Sequence, residues 1–214
     1  SIEESFRREQ QFTSDVSHEL RTPVAAMMLQ CEELLTDETL TPKTRKGVLF
    51  LSQKVKYLSQ MISQLLMLSR ADQGRQKVAM EPLNLSELTE MAVLEAEEMA
   101  AERQITVFSE IEPRIYINGD ETLLIRLWMN LLENAVRYGK DGGKIKVYLS
   151  SNGGRIYASV EDNGIGIAQK DLPHIWERFY QADAARSSGG SGLGLSMAAW
   201  IVHAHGGQIR AESR

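Results

Sequence analysis

His18 sits in the run Ser17-His18-Glu19-Leu20-Arg21-Thr22-Pro23. An imidazole with one unprotonated nitrogen is a nucleophile that can attack a phosphorus centre. The adjacent carboxylate, Glu19, can orient the ring and take its proton as attack proceeds. Thr22 lies one helical turn beyond His18 on the same face, where its hydroxyl can position a water for the reverse hydrolysis. Taken alone, the cluster is equally well a surface histidine beside a solvated charge.

Four more clusters follow downstream. Asn130-Leu131-Leu132-Glu133-Asn134-Ala135-Val136-Arg137-Tyr138 is helical in pattern. If Leu124, Trp128, Leu131 and Ala135 form its buried stripe, Asn130, Asn134 and Arg137 line one flank at i, i+4 and i+7, with Glu133 on the opposite, solvent side. Amide oxygens suit Mg²⁺, which keeps waters and binds through substrate phosphates, and Arg137 can meet a phosphate as a charged donor. Asp162-Asn163-Gly164-Ile165-Gly166-Ile167 follows a strand. Asp162 offers acceptor oxygens to an exocyclic amine such as that of adenine, and Gly164 and Gly166 let backbone approach a ligand closely. Gly189-Gly190-Ser191-Gly192-Leu193-Gly194-Leu195 leads into a helix whose first N–H groups suit an anion. It lacks the Gly-Lys-Ser/Thr of a Walker A loop, and no βαβ unit surrounds it. The small, polar Ala182–Ser188 segment before it reads as a mobile lid. Ile175-Trp176-Glu177-Arg178-Phe179-Tyr180 reads as a short turn that packs aromatics onto the core. Each cluster in isolation also has a purely structural explanation.

The elements that must position these groups fall into two textures. Residues 1–72 have long helical periods with one break near Asp37–Thr44. On the second helix Val48, Leu51, Val55, Leu58, Ile62 and Leu65 step by three and four, a heptad seam. Leu49, Phe50, Tyr57, Met61, Leu66 and Leu68 widen the stripe, which suits a four-helix bundle and therefore a homodimer of helical hairpins. The first helix carries Phe12, Val16, Leu20, Val24, Met27, Cys31 and Leu34 on its inner side. His18 lies roughly 200° from Val16 and Leu20, so it points away from that seam. Pro23 is expected to kink the helix just past it. Residues 73–82 are predicted to be a linker. Residues 83–214 read as helices Ser86–Arg103, Glu121–Tyr138 and Leu193–His205 with strands Ile105–Glu110, Ile115–Asn118, Lys144–Ser150, Arg155–Glu161 and Gln208–Glu212. Asn152-Gly153-Gly154 marks a hairpin turn. The expected fold is an all-α hairpin followed by an α+β two-layer sandwich with a mixed sheet.

Composition narrows the classes. With 43% hydrophobic and 25% charged residues, the chain has the balance of a globular protein. A net charge of −5, with no dense Lys/Arg face, speaks against nucleic-acid binding. One cysteine, Cys31, excludes an intramolecular disulfide and a cysteine-built zinc site, and its apolar setting suggests a buried thiol in a reducing compartment. No run has the length of a membrane span or the pattern of a signal peptide. His203 and His205 read as cationic caps on the last helix, and His174 as a surface loop residue.

In order and spacing, the five clusters resemble the transmitter core of bacterial sensor histidine kinases, over essentially the whole chain. His18–Pro23 looks like the H box, Asn130–Tyr138 the N box, Asp162–Ile167 the G1 box, Ile175–Tyr180 the F box and Gly190–Leu195 the G2 box. The resemblance implies a dimeric phosphoacceptor hairpin and a Bergerat-type ATP-binding domain. It makes His18 the phosphoacceptor, Glu19 its acid/base partner and Thr22 an assistant in dephosphorylation of a response regulator. It assigns Mg²⁺ to Asn134 with Asn130 nearby, phosphates to Arg137, the nucleotide's flank to Tyr138 and adenine to Asp162. Gly164, Gly166, Gly190, Gly192, Leu193 and Gly194 would shape the nucleotide loops. The implied activity is ATP-dependent autophosphorylation and phosphotransfer to a regulator's Asp, in the cytoplasmic portion of a membrane-anchored sensor. A docking scaffold and a gyrase-like ATPase are the competing classes. Complete G1 and G2 boxes oppose the first. Asn130, standing where such ATPases have a water-activating Glu, opposes the second. Trp176 and Gln181 depart from the family pattern, the segment between the F and G2 boxes is short, and the family's last strand is expected to be absent.

Overall fold

A hairpin of two helices, α1 (Ile2–Thr36) and α2 (Pro42–Asp72), opens the chain. The computed structural model describes residues 2–182 and 190–213, the side chains of residues 2–18 lying outside that description. The chain divides into two compact units, Ser1–Gln76 and Lys77–Arg214.

In the first unit α1 continues through Pro23 as helix. The turn is held by local polar chemistry. Asp37 Oδ1 accepts from Thr39 N at 2.8 Å and from its hydroxyl at 2.7 Å. The Arg45 guanidinium reaches back to the carbonyls of Leu35 and Asp37, both at 2.9 Å. Thr41 caps α2 by accepting from Thr44 N, and Pro42 occupies the first turn, where its missing N–H costs nothing. Val24 and Cys31 on α1, and Val48, Ser52 and Val55 on α2, are buried. The predicted seams are split by the structure. Leu20, Met27 and Leu34 on α1, and Leu51, Leu58 and Leu65 on α2, are 36–56% exposed. Each set recurs every seventh residue, so it forms one row along its helix. A two-helix hairpin can cover only one side of each stripe. The predicted orientation of His18 concerns a side chain outside the described residues.

The second unit contains β1 (Glu81–Asn84), α3 (Leu85–Ala101), β2 (Thr106–Ile111), β3 (Tyr116–Gly119), α4 (Glu121–Tyr138), β4 (Lys144–Asn152), β5 (Arg155–Asp162) and α5 (Gly194–Ala204). The sheet β2-β4-β5 is mixed: β2 runs parallel to β4, and β4 antiparallel to β5. Asn152 pairs with Arg155 across Gly153 and Gly154, whose φ of 59° and 76° fit the two-residue hairpin turn that the sequence predicts. Along β4, Ile145, Val147 and Leu149 are buried while Lys144, Lys146 and Ser150 face outward or lie partly exposed, the alternation of a sheet covered on one face. Leu88, Ala92 and Ala96 of α3 and Leu124, Trp128, Leu132 and Ala135 of α4 belong to the same core cluster.

Two expectations are corrected. β1 pairs antiparallel with β3, Leu83 opposite Ile117, so the segment 73–82 read as a linker ends inside a strand. Four residues containing Pro82 show no alternation long enough to detect; the partner strand creates this element. The strand expected at Gln208–Glu212 does not form. Ser213 instead binds the 167–169 loop, its hydroxyl accepting from Ile167 N at 2.8 Å and its carbonyl from Gln169 Nε2 at 3.1 Å.

Candidate functional site

Helix α4 spans Glu121–Tyr138, the limits that its periodicity predicts, and is fixed at its N-terminus by Asp120. Asp120 Oδ1 accepts from Leu123 N at 3.1 Å, and its Oδ2 from Ala79 N at 2.9 Å. Asp120 N in turn donates to His205 Nε2 at 3.0 Å, while His205 Nδ1 lies 2.8 Å from the Ile201 carbonyl. His205 thus bridges the N-terminus of α4 and the end of α5, a contact the sequence reading as a helix cap did not include. His174 is exposed, as expected of a loop residue, with Nδ1 2.7 Å from Glu177.

Of the expected stripe on α4, Leu124, Trp128 and Ala135 are buried, while Leu132 is fully buried in place of Leu131, which is only partly so. Asn130 is 6% exposed, while Asn134, Arg137 and Tyr138 are half-buried. Glu133 is exposed. Neighbouring protein still removes enough water to raise its carboxyl above the usual range, with Arg137 opposing the shift and Glu95 adding to it.

Two glycine loops converge on this flank. A Cβ placed on Gly194 would lie 3.6 Å from Asn130 Oδ1 and 3.8 Å from Asn134 Nδ2. One on Gly190 would lie 2.9 Å from the Tyr138 hydroxyl and 3.3 Å from Arg137 Nη1. At Gly164 a Cβ would collide with the Tyr138 carbonyl and stand 2.7 Å from Asp162 Oδ1. The loop after β5 is tied down from both sides: Ile165 N donates to Tyr138 O at 3.1 Å, Gly164 N to Asp162 Oδ1 at 2.8 Å, and Lys144 N to Asn163 Oδ1 at 2.8 Å. Gly166 in the same loop has φ of 69°.

The aromatic turn and the last glycine loop are also joined. Phe179, at φ 61°, donates its N–H to Gly192 O at 2.9 Å, and Gln181 Nε2 donates to Gly190 O. Tyr180 OH donates to the buried Asp171 at 2.7 Å. Leu193 is fully buried, so its side chain anchors the loop while its N–H donates to Ser191 Oγ at 3.2 Å. No side chain caps the start of α5, which leaves its first turn suited to an anion. The lid segment Ala182–Ser188 lies, except for Ala182, outside the described residues.

The structure therefore gathers Asn130, Asn134, Arg137, Tyr138, Asp162, Gly164, Gly190 and Gly194 around one flank of α4, with Gly192 packed against the Phe179–Tyr180 backbone. His18, Glu19 and Thr22 lie on α1 of the other unit, where Glu19 and Thr22 are exposed. Arg103 was not singled out by the sequence. Its guanidinium takes the carbonyls of Val136, Arg137 and Gly139 and the Asp141 carboxylate. A lone Arg closing a predicted helix carries no local signal for such partners, 33 and more residues away.

The pocket's chemistry fits a magnesium–nucleoside triphosphate. Asn130 Nδ2 is buried without a partner, and a buried orphan donor marks a place for an absent acceptor. Glycines stand where side chains would fill the space, and Arg137 supplies positive charge. Among the described residues no cluster of three His, Cys, Asp or Glu forms an all-protein metal cage. A hydrated Mg²⁺ bound through phosphates and an amide oxygen needs none.

Family comparison agrees with this division of labour. Residues 8–74 match the His Kinase A phospho-acceptor domain, and residues 119–214 the histidine kinase-, DNA gyrase B- and HSP90-like ATPase. The chain is 35% identical to the sensor histidine kinase RppB of Synechocystis over 99% of its length and 48% of the relative's. It is 32% identical to the signal transduction histidine-protein kinase BaeS of Escherichia coli, over 99% of this chain and 45% of that one. The chain thus spans about half the length of these curated relatives. Among solved structures, the mycobacterial sensor histidine kinase MprB superposes with a TM-score of 0.57 at 30% identity, covering 61% of this chain and 84% of that one. Full-length ShkA, solved in complex with AMPPNP, shares the fold with a TM-score of 0.77 at 24% identity, over 95% of this chain and 44% of ShkA. With a phospho-acceptor domain and an ATPase domain in this order, the chain belongs to the sensor histidine kinases and is a two-component transmitter core.

Proposed function

We propose that this chain phosphorylates its own His18 from Mg²⁺–ATP and passes the phosphoryl group to an Asp of a response-regulator receiver domain. The observation that carries the reading is the convergence of two glycine loops on Asn130, Asn134, Arg137 and Tyr138, with Asn130 Nδ2 buried and unpartnered.

Phosphoryl transfer leaves little covalent work to the protein, so positioning and charge neutralisation dominate. In this reading Asp162 accepts from the adenine amine, Tyr138 lies against the nucleotide, and Arg137 and the α5 start take phosphate oxygens. Gly164, Gly166, Gly190, Gly192 and Gly194, with Leu193 as buried anchor, shape the loops around it. Asn134, with Asn130 beside it, holds Mg²⁺, which when bound neutralises phosphate charge. A ring nitrogen of His18 attacks the γ-phosphorus. The N–P bond forms, the bond from phosphorus to the bridging oxygen breaks, and ADP leaves with that electron pair. The displaced imidazole proton passes to Glu19. An amide at position 130 cannot act as a general base for water, which favours transfer over hydrolysis.

The exposed rows Leu20/Met27/Leu34 and Leu51/Leu58/Leu65 support a homodimer in which a second copy completes a four-helix bundle. Phosphatase activity toward the phosphorylated regulator, with Thr22 placing the water, belongs to the same proposal. So does anchorage of the full-length protein in a membrane. No described helix is itself long and apolar enough to cross one.

Incubation with γ-labelled ATP and Mg²⁺ tests the reading. The expected label is alkali-stable, acid-labile, absent from His18→Gln, and transferable to a receiver domain. A wild-type chain that binds ATP and acquires no label refutes the kinase assignment.

A further inference from the structure

We propose that Arg103 is a positioning residue for the nucleotide pocket, acting through the last turn of α4; the proposal rests on that pocket being the ATP site. The C-terminal turn of any α-helix leaves carbonyls without intrahelical donors. Many helices close them with a left-handed residue beyond the last turn. Here the capping residue Gly139 has φ −60° and ψ 161°, so that closure is not made.

Arg103 supplies the donors instead. Its Nη1 donates to Val136 O and, at 3.0 Å, to Arg137 O; its Nη2 donates to Gly139 O at 2.9 Å. Nε donates to Asp141 Oδ1 at 2.8 Å, and Nη2 lies 2.7 Å from the same oxygen. Its own carbonyl accepts from Gly142 N at 3.0 Å. A planar, permanently charged fork suits such a set, and a cation at a helix C-terminus is electrostatically favoured.

The consequence concerns Tyr138. Arg103 takes the carbonyls of residues 136, 137 and 139 and leaves that of 138, which accepts from Ile165 N at 3.1 Å. That bond ties α4 to the Asp162–Ile167 loop. The turn that Arg103 holds is also the turn from which the Arg137 and Tyr138 side chains project toward Gly190. Freeing it would loosen both walls of the pocket at once, although the Arg103 side chain itself is spent on protein groups.

The test uses the full chain as wild type, Arg103→Ala, Arg103→Lys and Asp141→Asn. Calorimetric Kd for Mg²⁺–ATP, KM and kcat of autophosphorylation, and hydrogen exchange of the Ile165 amide are measured on each. For Arg103→Ala, Kd and KM are expected to rise about tenfold, equivalent to about 1.4 kcal/mol, while kcat at saturating ATP stays within about twofold. Its Ile165 amide exchanges faster. Arg103→Lys recovers part of the affinity, since an ammonium keeps the charge but cannot span three carbonyls. Asp141→Asn, altering only an exposed partner, stays near wild type. A folded Arg103→Ala that melts lower but keeps wild-type Kd and Ile165 exchange overturns the proposal. If Arg103→Ala does not fold, the same two quantities in Arg103→Lys decide: unchanged values overturn it, and weakened ones support it. A wild-type chain that binds no Mg²⁺–ATP defeats the underlying assignment before any variant is compared.

Discussion

Gly164→Ala isolates the close approach on which the nucleotide pocket depends. The added methyl would overlap the Tyr138 carbonyl and come within 2.7 Å of Asp162 Oδ1. The first of these is backbone of α4 and has no rotamer to yield. The loop must therefore move away, and overpacking of this kind costs about 1–3 kcal/mol. That movement also pulls on the 3.1 Å bond from Ile165 N to Tyr138 O, worth about 0.5–1.5 kcal/mol. On the proposed reading, in which Asp162 accepts from adenine, restoring the displaced loop lowers Mg²⁺–ATP affinity about 10- to 100-fold, since each factor of ten is about 1.4 kcal/mol. The matched control is Gly153→Ala in the β4–β5 hairpin. There φ is 59° and no atom lies within 4 Å of the new Cβ. It pays left-handed strain of about 1–2 kcal/mol with no obstruction near the pocket. Calorimetry should show Gly153→Ala destabilised but binding normally, and Gly164→Ala folded but binding weakly. Equal ATP affinity in both variants would refute the argument from close approach.

Three further outcomes follow from the geometry. Leu51→Asp combined with Leu58→Asp places charges on the uncovered α2 row; light scattering should report a monomer while the far-ultraviolet helical signal persists. Leu132→Ala empties a fully buried position in the α4 core and should cost about 2–5 kcal/mol, lowering the melting temperature of that unit by on the order of 10 °C. Glu112 is held below the usual carboxylate range by the Ser151 N–H and hydroxyl. A depressed folded-state pKa means that its stabilisation is present above about pH 4.5 and is lost as pH falls through the lower folded value. Glu112→Gln should therefore lower the melting temperature at neutral pH and flatten its fall in acid, where wild type and variant converge.

The arrangement of the pocket residues was largely legible because it is written locally. Asn130, Asn134 and Arg137 share a flank through helical spacing alone, and Asp162-Asn163-Gly164 announces a strand-end turn by composition. Leu131 and Leu132 exchanged roles because neighbouring positions at a stripe's edge differ by about 100° and the packing partner decides between them. His205 illustrates a different blindness. Its place at a helix end was visible, but the Asp120 N–H that it accepts from comes from a partner 85 residues away.

The sequence by itself determined the helices, the β4–β5 hairpin, the order of the motifs and the residue types offered to a nucleotide, since these depend on periods and turns of a few residues. Tertiary structure alone decided what depends on a distant partner. β1 exists because β3 lies beside it, and residues 208–212 stay irregular while Ser213 binds the 167–169 loop. Arg103 matters because α4 ends without a closing turn of its own. The rows at Leu51 and Leu20 stay bare because one hairpin has too little surface to cover them. Strand pairing, carbonyl capping and burial are contacts between segments, and no window of sequence contains both sides of such a contact.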